Sequence, residues 1–173
     1  LFRIRIDKLA DVIPENIMQS LFVDDLNINK SGRILTSVVR QVQLAINKIY
    51  AWATANGFKF SFPKIKAMLF SLRRNPEPIV LTIGNRQNGI HEITVVDNTK
   101  FLGVIFDNKL TYKKHIEELK GKCTKTINLL QVVSHQKWGA DRGTKLRLWR
   151  ALTRTKLEHG SILYLSLIHI SEP

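Results

Sequence analysis

The segment Leu21-Phe22-Val23-Asp24-Asp25-Leu26 places two adjacent carboxylates inside an apolar run. Removing a carboxylate from water is costly unless a partner compensates its charge. Two such charges about 6 Å apart repel each other by roughly 3 kcal/mol at an effective dielectric of about 20. A divalent cation would turn this repulsion into a ligand set, because Mg²⁺ is usually held by one or two carboxylates together with substrate phosphates. The alternative is a hairpin whose tip carries two solvated aspartates, and the pattern alone leaves both interpretations open.

The residues around the pair predict a hairpin followed by a helix. Residues 16–23 and 26–28 have the composition of two short strands that meet at the aspartates. In residues 33–56, apolar side chains recur every three or four positions, which predicts a helix with one apolar face. Ser31 is the predicted cap at its start, and Asn56-Gly57 the left-handed end. Because such a helix packs across one face of a sheet, we expect the aspartates near the other face.

Further strands are predicted up to about residue 107. Phe58, Phe60 and Phe62 alternate with polar residues, which predicts a strand whose three rings belong to the core rather than to a base-stacking platform. Residues 79–83 and 93–96 predict strands on either side of a polar turn at 84–89. Residues 101–106 predict another strand, closed by Asp107-Asn108.

From Tyr112 onward the apolar period becomes helical. One predicted face carries Ile116, Leu119, Cys123, Ile127, Leu130 and Val133. Asp141 is the predicted N-cap of a helix over 142–157 whose inward residues are Leu146, Trp149 and Leu152. Cys123 is the single cysteine, so an intramolecular disulfide is excluded, and its position predicts a small core residue. The shift in composition near residue 110 predicts a domain boundary.

The charge of the chain favours a polyanionic partner. Lysine and arginine outnumber aspartate and glutamate 27 to 14, a formal net charge of +13. Residues 100–159 hold fourteen basic and five acidic side chains, which is +9 of that total. A basic surface that binds nothing is the alternative. No apolar run reaches the roughly 20 residues that span a bilayer, so no membrane partner is expected.

Four segments, in the same order, resemble motifs of reverse transcriptases. Phe22-Val23-Asp24-Asp25 is similar to their active-site loop. Residues 62–70, which include Lys64, resemble the lysine-bearing strand of the non-LTR retrotransposon enzymes. Residues 100–112 with His115-Ile116 resemble their primer-grip hairpin and the helix after it. Residues 148–152 and 156–160 resemble the thumb of the same enzymes, particularly the jockey-like group.

This resemblance implies an α+β fold. It predicts a partial polymerase palm, with an antiparallel sheet and a packed helix, over residues 1–110. A basic helical thumb follows over 111–164. Residues 165–173 fit neither the family pattern nor a packed helix, and we treat them as an anomalous tail.

The resemblance also implies RNA-directed DNA polymerase activity with two divalent ions, Mg²⁺ or Mn²⁺. Asp24 would be a metal ligand, and Asp25 a second ligand or its close supporter. Lys64 would lie near the incoming triphosphate; a solvated lysine at a strand end is the alternative. Leu102-Gly103 would bring the primer backbone close, as glycine permits. The expected nucleic-acid contacts of the thumb are Lys120, Lys122, Lys125, Lys145, Arg147, Arg150 and Arg154.

The implied partners are an RNA template, a DNA primer and deoxynucleoside triphosphates, in the nucleus or the cytoplasm. In the family another essential aspartate and the nucleotide-binding fingers precede the Asp-Asp pair. Only 23 residues precede Asp24 here, and Asp7, Asp11 and Glu15 do not match that motif. We therefore expect a fragment that binds its metal ions only within the full-length enzyme and is inactive alone. The alternative is a non-catalytic relic that binds nucleic acid through its basic thumb.

Overall fold

Helices and two-stranded ladders make up the part of the chain that the computed structural model describes, residues 8–73, 77–85, 89–135 and 139–168. This mixture confirms the predicted α+β class. The chain divides into two compact units, Leu1–Leu69 with Arg73–Val96 and Phe70–Leu72 with Asp97–Pro173. The division into palm-like and thumb-like segments at residue 110 stays a prediction, but the hairpin that follows Asp97 belongs to the same unit as the later helices.

Within its described residues, the first unit contains one long helix and six short strands. They are β1 (Met18–Phe22), β2 (Asp25–Asn29), α1 (Leu35–Ala55), β3 (Lys66–Ala67), β4 (Thr82–Asn85), β5 (Gly89–Glu92) and β6 (Thr94–Val95), with 3-10 turns at Ala10–Val12 and Phe62–Lys64. β1–β2 and β4–β5 are antiparallel hairpins, whereas β3 and β6 pair in parallel. The expectation of one antiparallel sheet is therefore wrong for the described residues, which form separate two-stranded ladders.

The helix α1 packs against both cores of the first unit. Ala45 and Ile49 lie in one core with Leu9, Ile13 and Ile17. Ile46 and Tyr50 lie in the other with Leu81, Ile83 and Ile93. Full burial of each large side chain contributes about 1.5–3 kcal/mol, so the apolar face read from the sequence is what holds this unit together.

The ends of α1 agree only in part with the sequence prediction. Gly57 has a φ of +76°, which confirms the left-handed end. The cap predicted at Ser31 is wrong, because the helix begins at Leu35 and its N-cap is Ile34, which makes no side-chain capping bond.

The strand predicted at 58–62 is also wrong. These residues run into a 3-10 turn, Phe62–Lys64, that contains Pro63, which lacks the N–H group that a ladder requires. The alternation instead reflects packing. Phe58 stacks on Trp52 with ring centroids 5.4 Å apart, and Phe60 contributes to both cores. The three rings pack against protein side chains, as the core interpretation expects.

The second unit begins with a hairpin and continues as helices. The elements are β7 (Asn98–Phe101), β8 (Val104–Asp107), α2 (Lys113–Val132), α3 (Arg142–Trp149), a π-helical turn (Arg150–Arg154), α4 (Thr155–Glu158) and α5 (Ser161–Ile168). The single strand predicted at 101–106 is wrong, because Leu102 and Gly103 form a turn with φ values of +47° and +88°. Residues 165–168 of the predicted tail continue α5, and residues 169–173 lie outside the described residues.

The buried stripe of α2 is rotated from the one that the sequence predicts. Its buried residues are His115, Cys123 and Thr126, whereas Ile116 and Ile127 remain 44% and 43% exposed. The burial of Cys123 agrees with a core role. Hydrophobicity alone misplaces the face because β8 packs against the side that carries His115. On α3 the predicted inward residues Leu146 and Trp149 are likewise 46% and 41% exposed rather than buried.

Asp107, the last residue of β8, holds the loop that leads into α2. Its Oδ1 accepts the N–H groups of Lys109 (3.1 Å) and Thr111 (3.0 Å). Its Oδ2 accepts the Thr111 hydroxyl (3.1 Å) and the Tyr112 N–H (2.6 Å). The loop needs this support because Leu110 and Tyr112 have φ values of +55° and +56°. Residues other than glycine rarely adopt this region of backbone conformation.

Burial acts to raise the pKa of Asp107, but the hydrogen bonds from Thr111, Tyr112 and Lys109 outweigh it and hold the pKa below its usual value of 3.8. The lowered pKa contributes stability that is present above about pH 3.8 and is lost as the pH falls through the folded-state pKa. We expect Asp107→Ala to lower the free energy of unfolding of the second unit by about 3 kcal/mol at pH 7. The difference in free energy of unfolding between Asp107→Ala and the wild type should become smaller below about pH 4.

Amide hydrogen exchange in α2 measures this effect. Glu117→Ala removes an exposed carboxylate from the same helix and should change the free energy by less than about 0.5 kcal/mol. An Asp107→Ala protein as stable as this control would show that the loop does not depend on the carboxylate.

Candidate active site and nucleic-acid interface

Asp24 and Asp25 lie at the tip of the β1–β2 hairpin. Phe22 pairs with Asp25, so the turn consists of Val23 and Asp24 alone. Val23 has a φ of +58°, which is unusual for a β-branched residue. Both carboxylates are exposed. The predicted hairpin with the aspartates at its tip is therefore present.

The hairpin presents different chemistry on its two faces. Leu26 and Ile28 pack against the core that contains Ala45 and Ile49 of α1. Because side chains alternate along a strand, Asp25 lies on the opposite face, together with its cross-strand neighbour Phe22. Phe22 is 59% exposed. The face that carries Asp25 is thus directed away from the helix, as the sequence predicts.

Two side chains tie the base of the hairpin in place. Asn16, just before β1, donates its amide N–H to Gln41 Oε1 of α1 at 3.2 Å. Lys30, just after β2, donates from Nζ to the carbonyl oxygen of Asn16 at 2.6 Å. Together with the packing of Leu26 and Ile28, these contacts fix where the tip lies relative to α1.

The pair supplies oxygen ligands of the kind that Mg²⁺ prefers. Among the described residues, no group of three or more His, Cys, Asp or Glu side chains is placed to hold a metal ion. Asp24 and Asp25 therefore fit part of a divalent-cation site. The remaining ligands would have to come from substrate phosphates or from other residues.

The other predicted site residues are distributed over both units. Lys64 is the last residue of the 3-10 turn before β3, and its side chain is exposed. In the described part of the chain no ion pair joins it to Asp24 or Asp25. Leu102 and Gly103 form the exposed turn between β7 and β8 in the second unit.

The seven basic residues predicted to contact nucleic acid differ in whether their side chains already interact with other groups of the protein. Lys120, Lys125, Arg147 and Arg150 are exposed, and within the described ranges none of them forms an ion pair. The other three are engaged: Lys122 pairs with Glu118, Arg154 Nε lies 2.5 Å from Glu158 Oε1, and Lys145 Nζ reaches the carbonyl oxygen of Ser134 at 3.4 Å. Four of the seven predicted nucleic-acid contacts are thus exposed and could bind without breaking an ion pair of the described residues.

His115 is a buried residue that sequence reasoning assigned no role. Its Nδ1 accepts the Ile105 N–H at 3.4 Å, so Nε2 carries the ring proton. Nε2 is buried and has no hydrogen-bond partner in the described part of the chain. Burial lowers the pKa of His115; Lys122, His159 and Lys100 add to this effect, and Glu118 opposes it.

A lowered histidine pKa makes the second unit sensitive to acid. The unfolded chain binds this proton more readily, so stability is complete above about pH 6.5 and falls as the pH drops toward the folded-state pKa. One proton limits the slope to about 1.4 kcal/mol per pH unit. We expect His115→Gln to abolish this acid-dependent loss of stability, measured as the free energy of opening from amide exchange in α2 between about pH 7.5 and 5.5. His91→Gln, in the first unit, should leave it in place, whereas an unchanged acid response in His115→Gln would contradict the assignment.

Sequence reasoning also missed the roles of Asp107 and His159. A signal existed for Asp107, because a carboxylate followed by a turn and a threonine often accepts local N–H groups. His159 Nε2 lies 3.0 Å from the carbonyl oxygen of Leu102, and no local pattern could have paired residues so far apart in the sequence.

Three proteins are similar to this chain over most of its length. All are retrovirus-related Pol polyproteins from type-1 retrotransposable elements of Nasonia vitripennis. The protein of element R1 3 is 23% identical over 148 residues, which cover 86% of this chain and 39% of the relative. Those of R1 and R1 2 are 21% and 22% identical over 83% and 78% of this chain, and 42% and 33% of their own lengths.

The chain is therefore related to retrotransposon Pol polyproteins, and it spans at most 42% of the relatives reported above. No protein-family model and no solved structure matches it. Among the described helices, none has both the length and the apolar character needed to cross a bilayer.

Proposed function

We propose that this chain is part of the RNA-directed DNA polymerase of a non-LTR retrotransposon, of the jockey-like group, and that it contributes the Asp-Asp hairpin of the active site. The observation that carries the proposal is the β1–β2 hairpin, which exposes Asp24 and Asp25 at its tip, with Asp25 on the face away from α1. The relationship to Pol polyproteins supports it.

Asp24 and Asp25 would hold a divalent ion, Mg²⁺ or Mn²⁺. When bound, such ions activate a primer hydroxyl and neutralise charge on the leaving group. The contribution of this chain is positional: the cross-strand register and the contacts with α1 keep both carboxylates at a fixed tip. Their positions would not have to be reorganised during nucleotide transfer.

The remaining site residues would bind the substrates. Lys64 would contact the incoming deoxynucleoside triphosphate, and the Leu102-Gly103 turn the DNA primer. The exposed cations of the second unit, such as Arg147 and Arg150, would neutralise phosphates along the primer–template duplex. The template is RNA in this proposal, and a third carboxylate and the nucleotide cradle would come from other parts of the polypeptide.

A second function, binding of nucleic acid without catalysis, is favoured by one observation. The basic residues of α2 and α3 lie in a different compact unit from the aspartates, and four of them are exposed without an ion pair in the described part of the chain. That surface does not need a complete metal site in order to bind a polyanion.

Primer extension distinguishes the two functions. A longer polypeptide that adds the preceding part of the element should extend a DNA primer on an RNA template with Mg²⁺, and the 173-residue chain should not. Extension by the chain alone would show that its carboxylate set is complete. Binding without extension by the longer protein would favour the relic.

A further inference from the structure

The chain reversal after α4 lies directly against the turn of the β7–β8 hairpin. His159, at which α4 ends, approaches Leu102 with Nε2 3.0 Å from the carbonyl oxygen. A carbonyl oxygen can only accept, so Nε2 carries the proton and donates it. This hydrogen bond joins two of the segments that resemble polymerase motifs, residues 100–112 and 156–160.

Two glycines make the contact close in both directions. A Cβ atom added to Gly103 would lie 2.7 Å from His159 Nε2. A Cβ atom added to Gly160 would lie 2.7 Å from Val104 Cγ2. Both glycines also have positive φ, +88° and +72°. The glycine of each segment therefore leaves room for a side chain of the other segment: His159 lies against Gly103, and Val104 lies against Gly160.

The contact supports a backbone shape that is unfavourable by itself. Leu102 has a φ of +47°, in the left-handed region that is unfavourable for a residue with a side chain. The hydrogen bond from His159 offsets part of this cost. On the other side of the turn, Val104 is buried in a cluster with Tyr112 and Tyr164. The turn is thus held from the helical side, while Leu102 and Gly103 themselves remain exposed.

We infer that His159 and Gly160 form a positioning element that fixes the Leu102-Gly103 turn in the shape that receives the primer strand. The inference rests on the proposed function, which assigns primer contact to this turn. His159 acts through the turn and is a positioning residue. The ligand class is a recessed 3′ end of a DNA strand on an RNA template, rather than duplex in general.

The test compares two ligands and three variants of the 173-residue chain. One ligand is a labelled DNA primer annealed to a longer RNA strand, and the other is a blunt RNA–DNA duplex with the same number of base pairs. His159→Ala removes the donor, whereas His159→Gln keeps an N–H group at a similar reach. His91→Ala removes a ring from the first unit, where it stacks on Phe62 at 4.1 Å, and serves as the matched control.

We expect His159→Ala to weaken binding of the recessed end about tenfold and of the blunt duplex less than about twofold. His159→Gln should bind within about threefold of the wild type. Without ligand, the amides of Leu102, Gly103 and Val104 should exchange faster in His159→Ala and return toward wild-type rates in His159→Gln. His91→Ala should leave both readouts unchanged.

Three results would overturn the inference. Unchanged amide exchange in His159→Ala would show that the hydrogen bond does not hold the turn. Equal losses on the two ligands, or no loss on either, would assign His159 a structural role only. Equal affinity of the wild-type chain for the recessed end and the blunt duplex would show that a recessed 3′ end is not the preferred ligand. None of these results bears on Asp24 and Asp25, which primer extension by the longer protein tests separately.

Discussion

Asp24→Ala in the longer polypeptide is expected to abolish primer extension, with a loss of at least about 10³-fold in rate. The two carboxylates at the hairpin tip are the proposed metal ligands of this chain, and neither has a salt-bridge partner in the described residues. Removing one leaves a single protein ligand from this chain. Asp24→Asn keeps the size of the side chain but weakens it as a ligand, so it should also fall well below the wild type.

Controls separate catalysis from folding. Glu92→Ala removes an exposed carboxylate from β5 in the same unit and should retain extension within about twofold. The affinity of Asp24→Ala for primer–template should stay close to that of the wild type, because the basic residues lie in the other unit. Near-normal extension by Asp24→Ala would contradict the metal-site assignment, and joint loss of affinity and extension would indicate misfolding instead.

Binding of the 173-residue chain to duplex nucleic acid should depend steeply on salt. Each neutralised phosphate contributes a slope of about −0.9 to log affinity against log salt, so about five contacts give roughly −4 to −5. Affinity should then fall by about 250- to 1,000-fold between about 50 and 200 mM salt. Sequence preference should be slight, because phosphate contacts position the protein without identifying bases.

Charge removal identifies the residues responsible. Replacing Arg147, Arg150 and Arg154 together with glutamine should flatten the slope to about −2 to −3 and weaken all duplexes alike. Because Arg154 is paired with Glu158, we expect Arg147 and Arg150 to account for most of the change.

A matched triple variant, Arg40, Lys48 and Lys59 to glutamine, removes the same charge from exposed positions of the first unit and should leave the slope nearly unchanged. Equal effects of the two triple variants would mean that only net charge matters. Absence of binding at low salt would show that the basic residues only solvate the helices.

The sequence predicts elements whose signals are local. The β1–β2 hairpin follows from two short apolar runs that meet at Asp24 and Asp25, and α1 from its uninterrupted apolar face. The left-handed end at Gly57 follows from the residue type. These features depend on residues that are neighbours in the chain, and the structure confirms them.

Features that depend on distant partners could not be read in this way. The face of α2 that is buried is set by the hairpin that packs on it, so Ile116 carries the apolar signal while His115 occupies the core. The contact between His159 and Leu102 joins residues 57 positions apart. At residues 98–107 periodicity predicts one strand, whereas the chain turns back at Leu102 and forms a hairpin. The resemblance to a known motif predicts a hairpin in this region.

The arrangement of the ladders sets an order for folding. β1–β2, β4–β5 and β7–β8 each join strands that are adjacent in sequence, and such hairpins form within about 1–10 μs. The parallel pair β3–β6 joins strands on either side of the β4–β5 hairpin. Its formation closes a larger loop than a hairpin does, so we expect it to form later. Isolated hairpins are marginally stable. The aspartates at the β1–β2 tip would therefore acquire a lasting geometry only once α1 has docked against Leu26 and Ile28.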